Sequence, residues 1–329
     1  SPPTNTWTRL PDPPAFMLSP SDNPLVSLIS APLWDLKVVM YAYCISSQCF
    51  TALYKPIDPA LISDFGRRCS EPGVFRCIGF DTAADISGGY GANTGVINDG
   101  AAPPLIDMDL KSSGIGSLKF TIPSNTYQNT SGSYFANFSP NLSILMGSGE
   151  TFYYQWRQRF DTNFLSTHYL GSKGWKQSLV GTGDTPGVVA GACSALEIVT
   201  QNTFQRGFAQ MYNSCTGSAA RPIPYWPFEQ YTPNGTDLYL QNSRPAPSCL
   251  YSQQSTGAFF PPTGNCFGYS PSEWMTFQVG VTIGPRANDE WLNSNVKLWI
   301  AREGQPSQPV FDFNLNLVAG LPAENQKFG

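Results

Sequence analysis

Short runs in which apolar and polar residues alternate, each closed by Pro, Gly, Asn or Ser, restrict this chain more than any other feature. From residue 117 onward they read "SLKFTIP", "ETFYYQWRQRF", "GWKQSLVGTG", "ALEIVTQN", "GFAQMYNSC", "EWMTFQVGVTIG", "NVKLWIARE" and "VFDFNLNL". A period of two sends successive side chains to opposite faces of a strand, whereas a helix repeats its apolar positions every three or four residues. Helical periodicity is almost absent. The best helix candidate is "DPALISDFGRR", with Asp58 as its cap, Pro59 in the first turn and Leu61, Ile62 and Phe65 on one face. Many strands joined by long Gly- and Pro-rich connections predict a sandwich or jelly roll, a class that often runs past 200 residues as one domain.

Composition agrees and excludes several functions. Charged residues make up 13% of the chain, against roughly 25% in ordinary soluble domains. Ser, Thr, Asn and Gln carry the polarity instead, which suits the exposed faces and turns of β-structure. A net charge of −4 provides no basic field for phosphates, so no nucleic-acid partner is expected. No apolar run approaches the about 20 residues of a membrane-spanning helix. The chain starts at Ser1 with no charged, apolar leader, as expected of a mature secreted protein. Its 8 cysteines fall at short spacings, and nearest-neighbour pairing predicts disulfides Cys44–Cys49, Cys69–Cys77, Cys193–Cys215 and Cys249–Cys266. The first two spacings do not match a zinc ribbon, and a single histidine makes a mixed Cys/His site improbable. An oxidising, extracellular compartment is therefore expected.

Residues 1–33, rich in Pro, Ser and Asn, read as an extended arm that drapes over the body or grips a neighbour in self-assembly. Residues 34–329 read as a single jelly-roll domain with long loops. "WDLKVVMYAYC" is a strand, "CISSQC" closes a hairpin and "CFTALYK" returns. "SGGYGANTG" is Gly-rich but lacks the Gly-Lys-Ser/Thr ending of a phosphate loop.

The strand "ETFYYQWRQRF" divides its side chains sharply. Phe152, Tyr154, Trp156 and Phe160 share one face, interrupted by Gln158; Tyr153, Gln155, Arg157 and Arg159 share the other. The aromatic face is expected in the core and the amide and guanidinium face in a groove, with the strand central in its sheet. Depending on register, "GWKQS" adds Trp175, Lys176 and Gln177. Glu197 and Gln201 share a face of "ALEIVTQN", "GFAQMYNSC" adds Tyr212, and His168 lies in the loop after the arginine strand.

The closing strands "PSEWMTFQVGVTIG" and "NVKLWIAREGQP", with "SLKFTIP" and "ETFYYQWRQRF", resemble the concanavalin A-like lectin/glucanase jelly-roll superfamily, in its polysaccharide-lyase-like or laminin-G-like branch. The resemblance covers roughly residues 110–318. It implies an all-β fold, an antiparallel two-sheet jelly-roll sandwich with few short helices, and a concave sheet that binds glycans. The family's catalytic motifs do not carry over. The E-x-D-x-x-E run of its retaining glucanases is absent, "QWRQRF" lacks the Glu of R-x-E-x-R, and "GWKQS" lacks the His of Q-I-H. What remains is an expectation of polysaccharide binding, with β-elimination on an acidic polymer as the enzymatic version. Arg157 and Gln177 would then neutralise the uronate carboxylate, with His168 or Tyr212 as base and acid. Gln155, Arg159, Trp175, Lys176, Glu197 and Gln201 would contact the sugar. In "DMDLKSSG", Asp107 to Gly114, oxygen ligands are offered to the structural calcium that related jelly rolls often carry, though the register departs from an EF-hand loop. The alternative is a structural subunit or decoration of a filament, virion or surface layer.

Overall fold

A computed structural model describes residues 27–30, 39–45, 48–54, 59–89, 94–97, 103–122, 132–166, 175–181, 195–200, 208–214, 230–231, 236–254, 264–287, 290–318 and 327–329. The elements begin with β1 (Ser27–Ser30), β2 (Val39–Ile45), β3 (Gln48–Tyr54), α1 (Pro59–Cys69), α2 (Ala83–Ile86), β4 (Thr94–Ile97), β5 (Leu105–Asp107), β6 (Ser117–Lys119) and β7 (Ser133–Ala136). There follow β8 (Thr151–Arg159), α3 (Thr162–Ser166), β9 (Trp175–Gly181), β10 (Ala195–Thr200), β11 (Gln210–Ser214), β12 (Gln230–Tyr231), β13 (Thr236–Gln241) and β14 (Cys249–Gln254). The chain closes with β15 (Trp274–Thr282), β16 (Arg286–Ala287), β17 (Glu290–Ala301) and β18 (Gln308–Val318). Strands dominate and the helices are short, as the turn-punctuated alternation predicts. Every ladder among the described strands is antiparallel.

The chain divides into two compact units, Ser1–Ala60 and Leu61–Gly329. The first holds the sheet β1-β2-β3, in which Cys44 and Cys49 stand opposite each other across the hairpin. The expected Cys44–Cys49 bond itself lies outside the described side chains. β1 falls inside the segment expected to be an extended arm and pairs with β2; the rest of residues 1–33 lies outside the described residues.

In the second unit the main sheet has the order β16-β17-β15-β8, and β18 pairs with β17. Glu290 and Trp291 pair with both β16 and β18, so these strands flank β17 on opposite sides. The alternation of β15 explains why it sits inside the sheet. Met275, Phe277, Val279 and Val281 are fully buried on its inner face, and β-branched and aromatic side chains suit this pleated surface. β17 continues the layer with Val296, Leu298 and Ile300. β8 adds Phe152 and Phe160, with Tyr154 and Trp156 partly buried against them. Trp156 stacks on Phe277 at 5.3 Å between ring centroids, and its indole Nε1 donates to Gln158 at 3.1 Å. That bond accounts for the amide in an otherwise aromatic row. Near the other end of the chain Phe328 bridges to Met146 and stacks on Trp291 at 5.1 Å. Among the described residues β8 ends the strand order, so it is an edge strand of its sheet and not the central strand the sequence suggested. Its aromatics need cover on one face, which β15 and the core supply without a second ladder.

β9, in the sheet β11-β10-β9, meets this core from the inner side. Val180 is buried within it, and the Tyr269 hydroxyl donates to Gln177 Oε1 at 3.0 Å. Several local locks hold the connections. Gln241, 1% exposed, accepts from the Phe267 N–H at 2.8 Å and donates toward the carbonyls of Ala209 and Phe267. The buried amide thus stands in for a missing strand partner. Asp81 accepts from the N–H groups of Ile115 and Gly116 at 2.6 and 3.0 Å, clamping one loop to another. Disulfides join Cys69 to Cys77 and Cys249 to Cys266, as the spacing predicts, whereas Cys193 and Cys215 lie outside the described residues.

Candidate functional site

The outer face of the β8–β15–β17 layer is built from the residues that alternate with the core. The register places them in cross-strand rows. Thr151 faces Thr282, Tyr153 faces Gly280, Gln155 faces Gln278, and Arg157 faces Thr276. Across the next ladder Gly280 faces Lys297 and Gln278 faces Trp299. Tyr153 is 57% exposed. Its ring lies 6.4 Å from that of Trp299, tilted by 40°. The two meet because Gly280 has no side chain: a Cβ there would stand 2.7 Å from Tyr153 Cε1 and 3.2 Å from Trp299 Cζ3. A lone glycine within a strand marks such a close approach. Beside the rings, Gln155 and Gln278 make no side-chain hydrogen bond among the described residues.

The charges on this face are arranged differently. Arg157, half-buried, forms an ion pair with Glu303. Glu303 is held in turn, since its N–H donates to Glu273 at 2.9 Å while Arg302 pairs with Glu273 at 3.4 Å. Lys297 pairs with Asp312 at 3.1 Å. The Asn295 amide bonded to Asp312, together with Lys297, holds that carboxyl below the usual range against the opposing effect of partial burial. Arg159 donates from Nε to the Ser272 carbonyl at 3.1 Å.

The structure brings together part of the set expected from sequence and separates the rest. Gln155, Arg157 and Arg159 do share the outer face of β8. Gln177 does not join them. It bonds to Tyr269, which packs against Phe160 and Phe277 on the inner side. The reason is a bulge: β10 residues Ile198 and Val199 pair with Ser178 and Lys176, which leaves Gln177 as the extra residue. Gln177 thus bonds on the inner side, while Arg157, with which it was expected to share a carboxylate, lies on the outer face of β8. Glu197 and Tyr212 stand opposite each other on β10 and β11, with Leu179 of β9 next in the row. This row belongs to the second sheet, not to the sheet of Arg157. Trp175 and Lys176 pair with Thr200 and Val199. The side chains of Trp175, Lys176, Glu197 and Tyr212 lie outside the described set, as do His168 and Gln201 altogether.

Sequence reasoning missed Tyr153, Trp299, Gln278 and Gly280 as site residues. Gly280 carried the available signal, because it interrupts the polar positions of "WMTFQVGVT". Tyr154, on the inner face, has its hydroxyl sealed from solvent, and burial raises its pKa, so the phenol stays protonated.

Asp107 Oδ1 accepts from the N–H groups of Asp109 and Leu110 at 2.9 and 3.0 Å, and Oδ2 meets Lys119 at 3.2 Å. The Leu110 bond is the main cause of its lowered pKa. Both oxygens serve the turn, and among the described residues no group of three or more His, Cys, Asp or Glu is placed to hold a metal. A cavity of about 340 Å³ is lined by Phe75, Arg76, Asp85, Thr94 and Tyr134 among others. Its polar groups are largely used internally: Tyr134 donates to the Asp85 carbonyl and contacts Thr94, and the Asp85 carboxylate caps α2.

Comparison with protein-family models, with curated proteins and with solved structures found no match.

Proposed function

We propose that this chain is a secreted carbohydrate-binding protein of the jelly-roll sandwich type, and that the outer face of β8–β15–β17 is its binding surface. One observation carries the reading. Two aromatic rings, from Tyr153 and Trp299, are drawn together on an open strand surface by a glycine that leaves room for nothing else. Aromatic rings offer an apolar body to the C–H face of a sugar, and a Tyr153 ring left 57% exposed beside the half-buried Trp299 is not accounted for by core packing. The contact of β9 with the inner face supports two stacked sheets. The two disulfides support an oxidising compartment.

Binding is favoured over cleavage because Arg157, the arginine expected to neutralise a uronate, is already paired with Glu303. The test is a titration of the whole chain against neutral and acidic polysaccharides, followed by Trp fluorescence and by absorbance of an unsaturated uronate. Binding that is lost in Trp299→Ala, with the fold intact, is the expected result. Rising absorbance would instead establish a lyase. Binding indifferent to Trp299→Ala would remove the surface from consideration.

A second reading, a subunit of an extracellular assembly, draws on a different observation. Leu105, Met108, Leu110 and Phe120 are 63%, 48%, 44% and 43% exposed around the β5–β6 hairpin. Exposed apolar residues clustered in sequence suit a protein contact. Concentration-dependent self-association, abolished by Leu105→Lys, would favour it.

A further inference from the structure

Resting on the carbohydrate reading, we propose that the surface selects a neutral pyranose over a uronate, with Gln155 and Gln278 as its polar recognition pair. The cations nearest the rings are already answered by carboxylates. Arg157 has Glu303, and Lys297 has Asp312 at 3.1 Å. A uronate entering here exchanges one carboxylate for another and gains no net neutralisation. The resident acids are tethered on the same chain, so the exchange is also opposed by their high effective concentration. Arg159 has no carboxylate partner among the described residues, but it lies six strand positions beyond Tyr153. That is about 20 Å at the usual rise, outside the reach of one sugar bound at the rings.

The two glutamines have the opposite character. They are direct cross-strand partners, they continue the row of Trp299, which faces Gln278, next to the row of Tyr153, and neither amide is used among the described residues. Each carries two N–H donors and a carbonyl acceptor without charge. A vicinal diol presents the matching pattern, since each hydroxyl both donates and accepts. The sugar ring then rests on Tyr153 and Trp299 while its hydroxyls reach the amides. Gly280 is the positioning residue, because any side chain there separates the rings.

The experiment compares neutral oligosaccharides with the same compounds oxidised at C6 to the uronate, using the whole chain at two salt concentrations. The expected result is tighter binding of the neutral form, insensitive to salt. Gln155→Ala and Gln278→Ala should each weaken it about tenfold, the scale of one lost hydrogen-bonded contact. Arg157→Met should not reverse the preference for the neutral form. Preference for the uronate, weakened by salt and lost in Arg157→Met, overturns the neutral assignment and leaves carbohydrate binding standing. Absence of binding to either form at any salt concentration overturns both. If a glutamine variant proves unstable, the neutral-to-uronate ratio of the unmodified chain decides alone.

Discussion

The inner and outer faces of the β8–β15–β17 layer come from the same strands and the same ladders, yet they are organised by different forces. On β15, Phe277 is 0% exposed and packed against Trp156 and Tyr269. Its neighbour Gln278 points the other way and makes no side-chain hydrogen bond among the described residues. The inner face is specified by volume, because a close-packed core penalises any missing methylene. The outer face is specified by what it leaves open: a glycine where a side chain would fit the strand pattern, and two amides without side-chain partners among the described residues. Cross-strand pairing alone does not demand either feature. Surfaces shaped only by solubility tend toward charge, and here the cations nearest the rings, Arg157 and Lys297, are each paired with a carboxylate.

The largest expected effect tests the inner face. Phe277→Ala should cost about 3–5 kcal/mol by denaturant unfolding, while Gln278→Ala should stay within about 0.5 kcal/mol of the parent. Equal costs would break the contrast between the faces.

Gln241→Ala should cost about 1–3 kcal/mol, because the buried Phe267 N–H loses its acceptor. This variant asks whether buried polarity obeys the same accounting as buried volume. A neutral outcome in the unfolding midpoint would mean that another group takes over the bond.

Gly280→Ala sharpens the comparison from the outer side. The added methyl meets Tyr153 Cε1 at 2.7 Å, and the exposed Tyr153 ring can swing away. Stability should therefore fall by about 1 kcal/mol, at the low end for overpacking. Sugar binding should drop far more, as read by Trp fluorescence. A stability loss with unchanged binding would assign Gly280 to folding alone.

The smallest effect is expected at Asp312, whose pKa is lowered chiefly by the Asn295 amide. A folded-state pKa below the unfolded one stabilises fully above the unfolded value. That contribution is lost as pH falls through the folded value, so it fades below roughly pH 4. The group is half-exposed, so Asp312→Asn should cost under about 0.5 kcal/mol at neutral pH. It should also flatten the acid limb of the stability profile. An unchanged acid limb would show that the Lys297–Asp312 margin is not electrostatically coupled to folding.

The sequence by itself determined the strand character and the two faces of β8. Alternation is local: Phe152, Tyr154, Trp156 and Phe160 must share a side whatever the neighbouring strands are, because the period of a strand is fixed by its backbone. Short spacing likewise made Cys69–Cys77 and Cys249–Cys266 legible, since closing a small loop needs little of the rest of the fold. Tertiary structure decided which strands became neighbours. Arg157 and Gln177 were expected to meet at a uronate carboxylate because of the resemblance to polysaccharide lyases. Ladder order put β15 beside β8, and the bulge in β9 turned Gln177 to Tyr269. The ion-pair partner of Arg157 is Glu303, delivered by the turn after β17. The meeting of Tyr153 with Trp299 was equally hidden. It requires the register of two ladders at once, and a change of one residue in either would send one ring to the other face.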